Sequence, residues 1–301
     1  MSGPSSGEFY MLTRDRDESQ RLDSQHYFLR ELCGGKLIHK SIAAERIFSV
    51  ADVATGTGVW LRDVQKYLDT TYPIGNKRYY HGFDISDEQL PEDRGDGSIH
   101  FSLQNCLEPF PLEHHGRYDL VHVRLLVAAL NESEYRTAVA NIATLQKPGG
   151  HLQWEDLEHT YMLTNPEKQY QALPSMDTLR LCVQGQIDHG GSSNTPATVV
   201  AAAEAAGFQN ITRTDYKTRD RPELWAMTNE WIDKVFETLA RIILRRKRDA
   251  AAAVDEGLWR SEEDIEEEVK RRMQDLKHGH EKGFVVHANV GVVVAQKPRF
   301  V

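Results

Sequence analysis

The 301-residue chain has 36 Lys and Arg against 45 Asp and Glu, a formal net charge of −9, and is 27% charged and 40% hydrophobic. That balance lies near the average of soluble globular chains and away from disordered and membrane-spanning classes, and the length suffices for one substantial core with a smaller appended subdomain. The acidic excess opposes a phosphate-tracking surface, whose affinity comes from clustered Lys and Arg, so nucleic acid is not an expected partner.

From about Asp15 to Leu32, Leu22, Tyr27, Phe28 and Leu29 recur among charges as on an amphipathic helix able to cover a cleft. Apolar strands then alternate with helical stretches: a strand at Ser49 to Ala54, a helix at Trp60 to Tyr72, and strands at Tyr79 to Ile85, Ile99 to Leu103, Tyr118 to Val123 and His151 to Asp156. Helices are expected near Glu132 to Leu145 and Thr195 to Ala206, with last strands at Phe208 to Tyr216 and Gly283 to Gln296. This rhythm is α/β and predicts a largely parallel sheet. Lys147-Pro148-Gly149-Gly150 reads as a helix stop and tight turn into the strand from His151. Between the last two strands, Trp225, Trp231, Phe236, Leu239 and Ile243 stand at helical spacing, followed by a highly charged stretch; two or three helices are expected there.

The decisive stretch is Asp52-Val53-Ala54-Thr55-Gly56-Thr57-Gly58, an apolar strand ending in an acid that runs into a Gly-rich turn and a helix. Gly56 and Gly58 present no side chain to block a ligand, and the amides of a helix start receive anionic groups. A dinucleotide fingerprint would place a third glycine where Leu61 stands, with an acid about twenty residues beyond the turn, and a Walker loop would follow its glycine with Lys-Ser or Lys-Thr. Neither pattern is present, since Val59 and Trp60 follow Gly58. Asp84, ending the next strand, can accept hydrogen bonds from both ribose hydroxyls of a nucleoside, with Ile85 packing on its base. Both strand ends meet at one crevice, where open α/β sheets bind ligands.

Several motifs in order resemble the class I S-adenosylmethionine-dependent methyltransferases. Asp52 to Gly58 resembles the family's cofactor turn, with Ala54 in place of its usual first glycine; Asp84 resembles its ribose acid, and Asn105-Cys106 the place where adenine is read. Tyr118 to Arg124 is similar to the fourth-strand motif, and Leu145 to Leu152 to the turn before the fifth strand. Tyr10-Met11-Leu12, Arg21 to His26, Leu37-Ile38-His39 and Leu152 to Asp156 narrow the likeness to fungal secondary-metabolite methyltransferases, including N-methyltransferases of diketopiperazine or indole-derived products, and more distantly to methyltransferase-like regulators of the fungal velvet complex. The resemblance implies a Rossmann-like, mostly parallel seven-stranded sheet with helices on both faces and a reversed last strand. A helical lid at residues 1–45 and a catalytic domain at 46–216 with 283–301 are expected; the resemblance leaves the insertion at 217–282 undetermined, and its helical spacing reads first as packing and second as a substrate cap.

On that footing S-adenosylmethionine is the expected cofactor, held by Asp52, Ala54, Thr55, Gly56, Gly58, Asp84, Ile85, Asn105, Cys106 and Arg124. Arg124 has a second reading, as the partner of Asp119 or of a neighbouring helix. The partner is a small-molecule methyl acceptor, touched by Tyr10, His26, Trp225 and Trp231. Glu155 and His122, at the carboxyl ends of their strands, are the candidate general bases for the proton that an amine, hydroxyl or thiol acceptor must lose. His159, His189 and the loop Gly190 to Asn194 follow the fifth strand and either line the acceptor pocket or stay solvated. The rival functions are a regulator keeping the cofactor fold for partner binding, and a catalyst that uses the sulfonium only as a charge.

His114-His115 and His278-Gly279-His280 lack the convergent ligands of a zinc site, so no metal is expected. Cys33, Cys106 and Cys182 show no CxxC spacing, the opening residues contain no signal-peptide core, and no segment reaches the roughly 18 apolar residues that span a bilayer. The expectation is a cytoplasmic monomer or homodimer without a membrane partner.

Overall fold

The computed structural model describes residues 16–75, 77–91, 97–252 and 261–299. Its first helix, α1 (Arg16–Leu32), precedes a sheet of seven strands. These are β1 (Ser49–Val53), β2 (Tyr79–Asp84), β3 (Ile99–Leu103), β4 (Tyr118–Arg124), β5 (Gln146–Leu157), β6 (Gln209–Lys217) and β7 (Asn289–Gln296). Their order across the sheet is β3-β2-β1-β4-β5-β7-β6. β1 to β5 run parallel, while β7 lies antiparallel to both β5 and β6, which is the expected reversal of the last strand.

The interior strands carry continuous apolar runs because both faces are covered: β1 is buried at every position. On one face α2 (Val59–Thr71) sets Trp60, Leu61, Val64 and Leu68 against Val50, Tyr80 and Leu120. On the other, α3 (Tyr135–Leu145) and α6 (Thr195–Ala205) bury Tyr135, Val139, Ile142 and Val199 around Val121, Val123 and Trp154. Register between β4 and β5 jumps from Tyr118–Gln146 to Leu120–His151, so Lys147 to Gly150 bulge out of the ladder. Gly149 holds φ +82°, and a Cβ on Gly150 would lie 2.9 Å from the Tyr118 carbonyl, so this turn requires its glycines.

A third core lies beyond the sheet, where α5 (Pro174–Asp188), α7 (Trp225–Ala252) and α8 (Glu262–Glu281) pack on one another and α7 meets α1. The short α4 (His159–Thr164) joins β5 to this group. α4 and α5 were not anticipated by the sequence reading. The last strand starts at Asn289 rather than Gly283, because Phe284 to Ala288 form a buried segment outside the ladder.

Candidate functional site: a cavity at the carboxyl edge of the sheet

Between β1 and α2 the backbone adopts three left-handed conformations: Ala54 at φ 58°, Gly56 at φ 53° and Gly58 at φ 71°. The turn is held from inside. The Thr55 hydroxyl donates to Asp52 Oδ2 at 2.7 Å, the Thr55 amide to the Phe83 carbonyl at 3.0 Å, and the Gly56 amide to Asp84 Oδ2 at 2.8 Å. Gly58 lies under Phe101, whose ring a Cβ would meet at 3.0 Å; a Cβ on Gly82 would strike the same ring and Thr55. The glycines therefore let β2, β3 and the turn approach within contact.

Behind the turn runs a buried row of polar side chains. His122 is paired in register with Asp52 and sets Nδ1 2.7 Å from Asp52 Oδ1, while its Nε2 lies 3.7 Å from Glu155 Oε1. The imidazole stacks on Trp60, with centroids 3.6 Å apart and planes 5° apart. Burial opposes a charged imidazole, yet the Asp52 hydrogen bond and the two flanking carboxylates prevail and raise the His122 pKa. Burial likewise opposes ionisation of Glu155, but His122, together with Arg124 and Gln153, pulls its pKa down. Gln153 extends the row, donating to Glu155 Oε1 at 2.7 Å and accepting from the His39 amide at 2.8 Å.

In front of the turn opens a cavity of about 1680 Å³, measured out to its mouth. Its sheet end is lined by the turn, by Asp84 and Ile85, by Asn105 and Cys106, and by His122 and Arg124. Its far end is walled by Leu157, His159, Met162, Val183, Gln186 and the inner side of α7 from Trp231 to Leu239. The helix α1 crosses between the two ends. Its Asp23 accepts from the Thr57 hydroxyl at 2.7 Å, and its Gln25 accepts from both Arg21 at 2.6 Å and Trp231 Nε1 at 2.9 Å. His26 is held between Asp63 at 3.0 Å and Arg124 at 3.2 Å, which makes Nε2 the donor and leaves Nδ1 to accept from the guanidinium. Burial, reinforced by the Arg124 charge, lowers its pKa to about 4.

Of the residues expected to hold the cofactor, Asp52, Ala54, Thr55, Gly56, Asp84, Ile85, Asn105, Cys106 and Arg124 line this one cavity; Gly58 does not, being covered by Phe101. Arg124 meets His26 on the neighbouring helix, whereas Asp119 binds Lys147 at 2.9 Å. Trp231 lines the cavity, but Trp225 and His26 do not, and the Trp225 indole donates to the Thr218 carbonyl at 2.9 Å. His122 lines the wall, while Glu155 lies behind it. His159 is on the wall and His189 is not. Tyr10 falls outside the described residues. Gln89 and Gln186, isolated glutamines that no motif or periodicity distinguishes in the sequence, also line the cavity. Among the described residues no group of three or more His, Cys, Asp or Glu is placed to hold a metal ion.

A family model described as a methyltransferase domain matches residues 50–150. The chain is 31% identical to methyltransferase grgD of Penicillium sp over 299 residues, covering 98% of each chain. It is 27% identical to N-methyltransferase gliN of Aspergillus fumigatus over 58% of this chain and 60% of that one, and 30% identical to N-methyltransferase tcpN of Claviceps purpurea over 52% and 53%. The chain belongs to the class I S-adenosylmethionine-dependent methyltransferases. Its cofactor is S-adenosylmethionine, and the cavity suits it in three respects. Gln89 lies at the turn with its buried Nε2 lacking a protein acceptor, a donor ready for a ligand. Ile85, 46% exposed beside Asp84, offers apolar surface that a flat base would cover. Gly56 leaves open the space a Cβ would take 3.2 Å from Leu22. When bound, the cofactor supplies an electrophilic methyl group. The methyltransferase contributes a turn braced by Asp52 and Asp84, with α1 fastened to it through Asp23 and Thr57.

Proposed function

We propose that this methyltransferase methylates a nitrogen of a small, largely apolar metabolite of fungal secondary metabolism. The observation carrying this reading is that one cavity runs without interruption from the cofactor turn to the apolar wall built by α5 and α7. The wall that α5 and α7 contribute is mainly apolar, which suits an aromatic or peptide-derived ligand. Nitrogen is preferred to oxygen because similar fungal proteins are named N-methyltransferases. In this reading α1 belongs to the lid, α7 and α8 to the substrate cap, and Trp231 is a wall for the acceptor. Asp84 and Ile85 take the adenosine and Arg124 the amino-acid end of the cofactor. The hydrogen bond from His122 Nδ1 to Asp52 and the burial of Glu155 behind the wall support a positioning role for Asp52, His122 and Glu155.

The test is incubation of the purified protein with methyl-labelled S-adenosylmethionine and fungal metabolite extracts, followed by mass spectrometry of labelled small molecules. Label on nitrogen of an apolar product is expected. Tight cofactor binding without transfer to any small molecule would instead favour a protein that uses the fold for binding partners.

A further inference from the structure

The far end of the cavity has an electrostatic character that the cofactor end lacks. The walls contributed after β5, from Leu157 through Leu239, include no Asp, Glu, Lys or Arg. Their polar members include Gln186, 3% exposed, and His159, 2% exposed. His159 opens α4, directly after β5, and its Nδ1 lies 3.1 Å from the Ser192 carbonyl. A carbonyl oxygen only accepts, so Nδ1 carries the hydrogen, and in the neutral ring Nε2 is left with a lone pair. Burial alone keeps that ring neutral, lowering its pKa to about 4, with the Ser192 bond opposing weakly and no charged side chain contributing.

Two consequences follow from general physics. A cation moved into this end finds no carboxylate on these walls, and burying an unpaired charge costs far more than burying a neutral polar group that is hydrogen-bonded. A neutral N–H or O–H, in contrast, finds an acceptor in an imidazole nitrogen. We infer that the methyl acceptor enters uncharged at its buried end and that His159 Nε2 receives the proton released from the reacting nitrogen or oxygen. In that step the acceptor's lone pair forms the bond to the methyl carbon, and the electrons of the carbon–sulfur bond remain on sulfur. The N–H or O–H pair stays on the acceptor while its proton passes to Nε2. The resulting imidazolium, destabilised by burial, returns the proton to water as the product leaves. His159 is thus a catalytic residue at the far wall, separate from the Asp52–His122–Glu155 row behind the turn.

The inference rests on the small-acceptor reading above, and its test separates the two. In 15N-histidine-labelled protein saturated with S-adenosylhomocysteine, two-bond 15N spectra should show His159 as the neutral Nδ1–H tautomer from pH 8 to 5. The Nε2–H form, or an imidazolium at pH 6, would overturn the inference. Three probes sharing one ring, benzyl alcohol, benzylammonium and benzoate, are then compared at pH 7 by ligand-observed NMR. Benzyl alcohol should bind at least ~10-fold more tightly than benzylammonium and shift the His159 Nε2 resonance, with benzoate as the control for pairing with Arg21. His159→Asn, whose side-chain amide can still donate to Ser192, should weaken benzyl alcohol binding, leave benzylammonium as poorly bound as before, and leave S-adenosylhomocysteine affinity unchanged. Benzylammonium bound as tightly as the alcohol would sink the inference alone. Failure of all three probes to enter the cavity of cofactor-loaded protein would overturn the small-acceptor reading and the inference together.

Discussion

Asp52 Oδ1 lies 2.7 Å from His122 Nδ1 across neighbouring strands, and the other oxygen of the same carboxylate is 2.7 Å from the Thr55 hydroxyl. One buried side chain thereby links the sheet interior to the turn. Replacing His122 by Ala leaves Asp52 and Glu155, 3% and 5% exposed, without the imidazole that lies between them. The expected cost is about 3 to 5 kcal/mol in urea unfolding, as for other broken buried pairs. Cofactor affinity should fall with it, and unchanged stability would mean that the row is not held by charge.

Asp84 bridges the two strand ends through the Gly56 and Ser86 amides. Asp84→Ala should weaken S-adenosylhomocysteine binding by about 1 to 3 kcal/mol, the size of lost charge-assisted hydrogen bonds. Calorimetry reads this directly, and undiminished affinity would remove Asp84 from the cofactor's sugar.

Ala54 occupies a left-handed conformation at φ 58°, where a Cβ is crowded. Ala-to-Gly changes in exposed helix interiors, such as Ala201→Gly in α6, cost about 1 kcal/mol. At Ala54 the relief of strain opposes the added freedom of the unfolded chain, so Ala54→Gly should be neutral or stabilising by up to about 1 kcal/mol. Ala54→Val should be clearly destabilising. Thermal unfolding of the three variants side by side decides the matter.

Stability should depend on pH through groups of opposite sign. The folded pKa of His26, His159 and His287 is lowered from 6.5 to about 4, so the unfolded chain binds more protons between those values. Their contribution is complete above about pH 6.5 and is lost on acidification towards pH 4. Asp156 runs the other way. Burial raises its pKa from 3.8 to about 7, against hydrogen bonds from Trp154 and from the amides of Leu157, Val127 and Leu126, so its contribution declines as pH rises through that window. With histidines outnumbering it, stability should rise from pH 4 to 6.5. Asp156→Asn should lower stability throughout, for lost hydrogen bonds, yet steepen the rise. Denaturant midpoints at a series of pH values give both quantities.

The Thr57–Asp23 hydrogen bond fastens α1 to the turn. Thr57→Val removes a bond of about 0.5 to 1.5 kcal/mol, which corresponds to cofactor release faster by up to about tenfold. Amide exchange in α1 should accelerate with it. If exchange in α1 is unaffected, the helix is held by its other contacts, Gln25–Trp231 and His26–Asp63 among them.

The sheet and the cofactor end were legible because their signals are local. Continuous apolar runs mark strands covered on both faces, and the left-handed turn calls for small residues at 54, 56 and 58. The far end was less legible because α5 buries a mixed face. Ser175, Thr178, Gly185 and Gln186 are as buried as Met176, Leu179 and Val183, so no clean apolar stripe appears. Those small and polar residues serve close helix contacts: Ser175 donates to the Asp275 carbonyl at 2.7 Å, and a Cβ on Gly185 would lie 2.7 Å from Ile243. Trp225 and Trp231 share a helical repeat in the sequence, but only Trp231 lies on the inner side of α7. Which of two aromatic residues faces a ligand is decided by the rotation of that helix against α1 and α5, and its own sequence does not contain that information.

Gln25 receives the Trp231 indole while Asp23, two residues earlier on the same helix, receives Thr57. A single rod is therefore latched at one point to the turn and at another to α7, which on the reading proposed above are the donor's and the acceptor's compartments. Swinging it away unseals both, so entry and exit of the two reactants are expected to share one gate, and an acceptor too bulky for the rod to seat should slow loss of the spent donor less than a fitting one does.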